Sequence, residues 1–322
     1  MREFCNILSY LLLIAFLVFS AGVLRAGVIV VASNGTGQVS TIQAGINLAA
    51  AGDTVLISPG VWTGAVVIDN KPITIGSYYI IDGDTTHISQ TIIDGEDTRT
   101  GIIIQNCSGA VDTVQVIGLT IRNGRSSHFP FTDVFSNGGG ISVMRSVAEI
   151  SRCVIHHCRA HYGGGISAIY STVYLSSNQI YANVAEGGGG GVNASKPGTR
   201  IVFGQSKLNS VFLNSGTVGS DIAYSDACEP TVIYLDKGSV SINDPYFYYN
   251  PWHTPIFINR GAISQVDHDL WVSPQGDNAN SGTSAQTPLR NISFALALIQ
   301  PVGSVARTVH VMPGVYSWSQ TG

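Results

Sequence analysis

Gly138-Gly139-Gly140-Ile141 and Gly163-Gly164-Gly165-Ile166 repeat one pattern at a step of 25 residues, and the run from Gly187 to Gly191, closing on Val192, repeats it with one glycine inserted. A period in the twenties with a short apolar strand in each copy marks a solenoid, in which each repeat buries its apolar face only against its neighbours. Between the glycine runs, residues 151–160 (SRCVIHHCRA) align without a gap on residues 176–185 (SSNQIYANVA). A third copy follows at residues 208–216 (LNSVFLNSG) and runs into Gly219-Ser220-Asp221-Ile222. Two slots in these copies read Cys153, Asn178, Asn209 and Cys158, Asn183, Asn214. Stacked coils place the members of a slot above one another. Asparagine suits a buried bend, because its amide both donates and accepts and its backbone tolerates left-handed angles. Two internal ladders are therefore expected. A weaker fourth copy, residues 114–124, alternates apolar and polar residues and reads as strand.

The start of the chain points the same way. Val28-Ile29-Val30-Val31-Ala32 reads as a strand, and residues 41–51 (TIQAGINLAAA) put Ile42, Ile46 and Ala49 on one helical face, with Gly52-Asp53 ending the helix. Residues 54–62 (TVLISPGVW) open the coils. A short amphipathic helix over the end of a solenoid covers a core and a strand edge that would otherwise be exposed. The same opening recurs: Leu270-Trp271-Val272-Ser273 repeats the strand, residues 292–299 the helix, and residues 308–316 (TVHVMPGVY) match residues 54–62. The expectation is a second β-helix unit that starts near residue 268 and is cut short at Gly322, the sequence being a piece of a longer protein.

The glycine-run-plus-isoleucine motif, followed by strands and an Asn-x-Ala such as Asn183-Val184-Ala185, resembles secreted bacterial right-handed parallel β-helix proteins of the pectin-lyase-like superfamily. More loosely it resembles the repeats of polymorphic outer-membrane proteins and autotransporter passengers. The resemblance covers residues 28–242 and resumes near residue 270, where the insert 277–283 (DNANSGT) is similar to a loop of relatives with this opening. It implies an all-β, right-handed parallel β-helix with a short N-terminal capping helix, followed by a truncated second unit. It does not choose a function, because adhesins, lyases, hydrolases and esterases share the scaffold.

Charged residues make up 11 % of the chain and the net charge is −4, so there is no electrostatic reason to expect nucleic acid as a partner. Residues 1–26 have Arg2, an apolar run from Ile7 to Phe19 and small residues after it, the layout of a secretory signal peptide cleaved after Ala26. An uncleaved membrane anchor is the alternative, although the run is short for a spanning helix. The domain reading is then signal peptide 1–26, β-helix 27–242, an aromatic and proline-rich cap or linker 243–267, and the start of a second unit 268–322. Export to the extracellular space or outer cell surface, with no membrane span after cleavage, follows.

Removing the signal leaves Cys107, Cys153, Cys158 and Cys228, an even count that permits disulfides in an exported chain. Cys153 and Cys158 can pair only if a bend brings their Cα atoms within about 7 Å, whereas five extended residues span roughly 16 Å. Stacking in the ladder slots is the other reading. Cys153, His156, His157 and Cys158 are also metal-ligand residue types. Alternate strand residues face opposite sides, however, so neither a metal nor another cofactor is expected.

Two stretches depart from coil periodicity. The insertion 125–137 (RSSHFPFTDVFSN) carries Phe129, Phe131 and Phe135 beside His128 and Asp133, a candidate set for stacking on sugar rings; a loop folding its rings onto the wall is the other reading. Residues 243–257 (NDPYFYYNPWHTPIF) read as a plug for the end of the β-helix or as a carbohydrate platform. Catalytic residues are not nominated. The resemblance implies that a lyase would use an acidic calcium cluster with an Arg or Lys base, and a hydrolase two or three carboxylates on adjacent coils. In the coils from 138 to 222 only Glu149, Glu186 and Asp221 are acidic, at unrelated registers. Asp82-Gly83-Asp84 and Asp94-Gly95-Glu96-Asp97 read as turns between coils. The expected function is a non-catalytic, glycan-binding or adhesin-like surface scaffold with polysaccharides or cell-surface glycans as partners. A polysaccharide lyase or glycoside hydrolase with catalytic residues outside this sequence is the runner-up.

Overall fold

A computed structural model describes residues 26–64, 66–108, 113–126, 137–229, 231–239, 247–263, 265–299 and 305–316. It is an all-β architecture of long parallel sheets, the arrangement of a parallel β-helix or solenoid. The first sheet orders Val28–Val31, Thr54–Ile57, Thr74–Ser77, Thr113–Ile117, Val147–Ser151, Thr172–Ser176 and Arg200–Phe203. The second runs from Gly60–Thr63 through Thr91–Asp94, Thr120–Arg122, Val154–His156, Gln179–Tyr181, Asn209–Phe212 and Ile233–Gly238 to Ile256–Gly261. The third comprises Val67–Asp69, Ile102–Gln105, Ile141–Met144, Ile166–Ile169, Val192–Ser195, Ile222–Tyr224 and Tyr248–Tyr249. Between residues 54 and 224 the chain lays strands on the first, second and third sheets in turn, so every coil contributes to each wall.

Register follows from the apolar residues. Val55, Ile75, Val116, Ile150, Leu175 and Phe203 form one inward row of the first sheet, and Ile93, Ile121, Ile155, Ile180 and Val211 one of the second. All are buried. Because side chains alternate across a strand, a slip of one residue would turn every member of a row to the outside, so the rows hold the coils in step.

Both predicted ladders are present, in the turns on either side of the second sheet. Cys153 N donates to Asn178 Oδ1 (2.9 Å) and Asn178 N to Asn209 Oδ1 (3.0 Å). In the other ladder Cys158 N donates to Asn183 Oδ1 (3.0 Å) and Asn183 N to Asn214 Oδ1 (3.1 Å). Each amide nitrogen also reaches a carbonyl one coil back: Asn178 to Ile150, Asn183 to Ile155, Asn209 to Leu175 and Asn214 to Ile180. The left-handed backbone, however, does not belong to the asparagines. It belongs to the residue before the slot, namely Arg152, Ser177, His157, Ala182 and Leu213, with φ from 53° to 57°. That residue makes the bend, and the ladder side chain that follows it turns inward to meet the neighbouring backbone.

Cys107, Cys153, Cys158 and Cys228 are all buried, and no disulfide joins them. The thiols of Cys153 and Cys158 point to carbonyls, those of Val116 and Ser151 for Cys153 and of Ile121 and His156 for Cys158.

Helix Ile42–Leu48 packs on the strands Val28–Val31, Thr54–Ile57 and Val67–Asp69 with Ile42 and Ile46 buried, and the Thr41 side chain accepts from Ala44 N at its start. It ends at Leu48, earlier than Gly52-Asp53, because the backbone turns extended at Ala49 and Asp53 Oδ2 accepts from Ala50 N. Two short helices not anticipated from periodicity, Tyr79–Asp82 and Thr86–Gln90, stand between the first-sheet strand Thr74–Ser77 and the second-sheet strand Thr91–Asp94. Towards the end of the chain, Leu270–Val272 pairs in parallel with Val309–Val311, and helix Ile292–Leu298 packs on both. Strand, helix and strand thus recur in the order of the opening.

Candidate functional site

The third sheet has an outward row in register: Ser142, Ser167, Asn193, Ala223 and Tyr249. Four of these five are buried despite facing away from the core, and Tyr249 is exposed. The cause is the glycine runs. Gly138, Gly163, Gly189 and Gly219 all have positive φ, between 54° and 77°, which turns the preceding residues back over the outer face of the sheet. A Cβ on Gly163 would sit 2.7 Å from that of Ser167, so any side chain in this run would collide with the strand beneath. The folded-back segments pair with one another, Asn137 with Tyr162 and Gly188 with Val218, and form a second wall.

A cleft of about 590 Å³ lies between this wall and the end of the sheet, a size within the range of small-ligand sites. Tyr162 and Tyr249, 41 % and 42 % exposed, border it, and Lys196 and Asp226 are the charged residues among those described around it. Asn193, on the sheet, and Asn137, on the folded-back wall, both line it. Asn193 Nδ2 and Asn137 Oδ1 are buried with no hydrogen-bond partner, and so is Ser167 Oγ, next to Asn193 in the outward row.

The outer face of the second sheet carries a different row. Asp94, Arg122, His156, Tyr181 and Phe212 lie in register along it. Arg122 Nε donates to Asp94 Oδ2 at 2.7 Å, His156 stacks on Tyr181 (5.2 Å, 9°), Tyr181 on Phe212 (5.4 Å, 13°), and Lys237 Nζ lies 4.1 Å from the Phe212 ring centre. Tyr181 and Phe212 thus have both ring faces covered by the neighbouring groups of the row. Rings stacked in this way hold the coils together; they offer no open face to a sugar. Partial burial, then the neighbouring His157 and Arg122, hold the His156 imidazolium below the ordinary histidine range.

His128, Phe129, Phe131, Asp133 and Phe135 lie outside the described residues, so of the 125–137 insertion only Arg125, Ser126 and Asn137 are placed. Asn137, at its return, lines the cleft. Of the 243–257 stretch, residues 243–246 are likewise outside. Phe247 and Tyr248 are buried in the core, while Tyr249 turns outward to the cleft. The stretch is therefore split between plugging and lining.

Cys153 and Cys158 point inward whereas His156 and His157 stand on the exterior with their Nδ1 atoms 2.7 Å apart, so the four do not converge. Asp82 and Asp84 cap the backbone of the turn between the short helices, accepting from Asp84 N and Thr86 N. Asp94 accepts from Glu96 N and pairs with Arg122. Asp221, at a register unrelated to the other acids of these coils, is wholly buried and ends the second ladder. Its Oδ1 accepts from Asn214 Nδ2 (3.0 Å) and its Oδ2 from Ser239 N (2.9 Å), and burial pushes its pKa up to about 6. Among the described residues no helix is long and apolar enough to cross a membrane, and residues 1–25 of the signal-peptide reading lie outside them.

Comparison with protein-family models, with curated proteins and with solved structures finds no match to this chain. Function is therefore read from the cleft.

Proposed function

We propose that this chain is an exported or cell-surface scaffold of the pectin-lyase-like type that binds glycans without cleaving them, at the cleft beside the third sheet. The observation that carries this reading is a cleft of about 590 Å³ bordered by the half-exposed rings of Tyr162 and Tyr249 and lined by amide and hydroxyl side chains. Sugars supply hydroxyls that both donate and accept, and their C–H faces pack on aromatic rings; the cleft is built of the complementary groups. A single lysine and a single aspartate around it suit binding better than paired acid–base chemistry. In the same reading residues 1–26 are a signal peptide, helix Ile42–Leu48 covers the open end of the coils, residues 268–322 begin a second unit, and the coil is right-handed, as parallel crossovers almost always are.

The test is a polysaccharide array with the chain and with Tyr162→Ala and Tyr249→Ala. Roughly millimolar to micromolar binding that weakens in both variants supports the reading. Release of unsaturated or reducing ends, or binding indifferent to both tyrosines, contradicts it.

A further inference from the structure

His156 and His157 are neighbours in sequence, and on a regular strand they would face opposite sides of the sheet. They do not, because the strand Val154–His156 ends there and His157 takes a left-handed backbone, with φ of 55°. The bend swings the second ring to the side of the first. The rings meet with their planes 85° apart and with Nδ1 of one 2.7 Å from Nδ1 of the other. Two nitrogens sharing one proton tolerate that approach, whereas a ring carbon in either place would lie well inside its contact distance of about 3.5 Å. The distance therefore fixes which ring atoms meet.

The corresponding pairs on the coils to either side are Arg122 with Asn123 and Tyr181 with Ala182. Arg122 and Asn123 both donate to Asp94, so the guanidinium charge beside the histidines is matched. Tyr181 backs His156 with its ring face, and Ala182 has only a methyl to set beside His157. Partial burial, then His157 and Arg122, lower the His156 pKa, which keeps its imidazole in the neutral, ligating form near pH 7.

A metal bonded to two imidazoles at about 2.0–2.1 Å holds their nitrogens about 2.9 Å apart at a right angle and about 3.3 Å apart in a tetrahedron. The separation of 2.7 Å lies nearer the first value. Right-angled nitrogen ligation suits Cu(II), which also binds a given site more tightly than the other divalent first-row metals. We propose that His156 and His157 form a Cu(II) site on the outer face of the second sheet, with both Nδ1 atoms cis on the metal. The proton between them moves through water to the free Nε2 of the ring that carried it. Among the described residues no third His, Cys, Asp or Glu joins the pair, so water fills the remaining positions. The site lies on a different sheet from the cleft and is independent of the glycan reading.

The test is a titration of the full chain with copper(II) chloride, followed by calorimetry and, below one equivalent, by electron paramagnetic resonance. The expected result is one tight site per chain whose spectrum carries two imidazole nitrogens. His157→Asn should weaken it at least about 10-fold, because the second ligand of a pair acts at high effective concentration. Asparagine accepts the left-handed backbone at this position, so the bend and the melting temperature should survive. His253→Asn replaces another exposed histidine at a left-handed angle, φ 49°, and should leave the titration unchanged. Parent binding no tighter than that of His157→Asn, a spectrum with a single imidazole, or loss of the tight site in His253→Asn overturns the proposal.

Discussion

Asn183 donates from Nδ2 to Oδ1 of Asn214, 3.0 Å away in the next coil, and from the same nitrogen to Ile155 O, 3.0 Å away in the coil before. One amide thus ties three successive turns of the chain. Its Oδ1 meanwhile accepts from Cys158 N, so three groups in the buried interior depend on one side chain.

Replacing Asn183 by Leu leaves Cys158 N, Ile155 O and Asn214 Oδ1 short of a partner. The expected loss is about 1–3 kcal/mol, read as a lower midpoint in urea. Parent-like stability in Asn183→Leu would mean that the ladder does not hold the coils.

Asp221 should make stability fall as pH rises. Its folded pKa of about 6 lies above the unfolded carboxylate value of about 3.9. The folded state therefore favours the protonated form, and the stabilisation is complete below about pH 4 and lost as pH rises through about 6. The difference amounts to roughly 2–3 kcal/mol. Denaturation midpoints between pH 4 and 7 should drop in the parent chain and stay flatter in Asp221→Asn. A parent profile rising over that interval would contradict the placement of this carboxyl.

Burial pushes the thiols of Cys153 and Cys158 up to about 12. Both should resist iodoacetamide at about pH 8 in the folded chain and react fully in urea, because the thiolate is the nucleophile. Peptide mapping by mass spectrometry that finds either one modified in the native protein would place it at the surface.

Tyr162 lies against Gly187 so closely that any Cβ there would collide with its ring. Gly187→Ala should therefore displace the ring and weaken glycan binding several-fold, with a melting temperature within a few degrees of the parent. Unchanged titration curves would remove Tyr162 from the binding surface.

Leu270–Val272 and Val309–Val311 form a two-stranded sheet of their own, apart from the three long sheets. Truncation after Val266 should leave the main thermal transition within a few degrees of the longer chain. A large fall would show that the tail is part of the same cooperative unit.

Much of the coil architecture was legible because a solenoid writes its contacts into the sequence at a constant step. Asn178 meets Cys153 from 25 residues away, so a slot read along the chain is also a contact in space. That regularity stops where the contact is not one coil long. Asp221 sits only seven residues after Asn214 and still completes its ladder, because the chain turns directly from that coil onto the third sheet. The left-handed angles fall at Ser177 and Ala182, one residue before the asparagines, a displacement that composition does not reveal.

The sequence by itself determined the repeat, the ladder slots and the strand–helix–strand recurrence near residue 270, since each depends on neighbours at fixed spacing. Only the tertiary structure decided the cleft. Asn137 and Tyr162 share the slot before the glycine runs and Asn193 and Tyr249 share a row of the third sheet, but the two pairs meet only because left-handed glycines fold the wall back over the outer face of that sheet. The direction of that fold is a property of backbone dihedral angles stacked over successive coils, and no spacing of residue types encodes it.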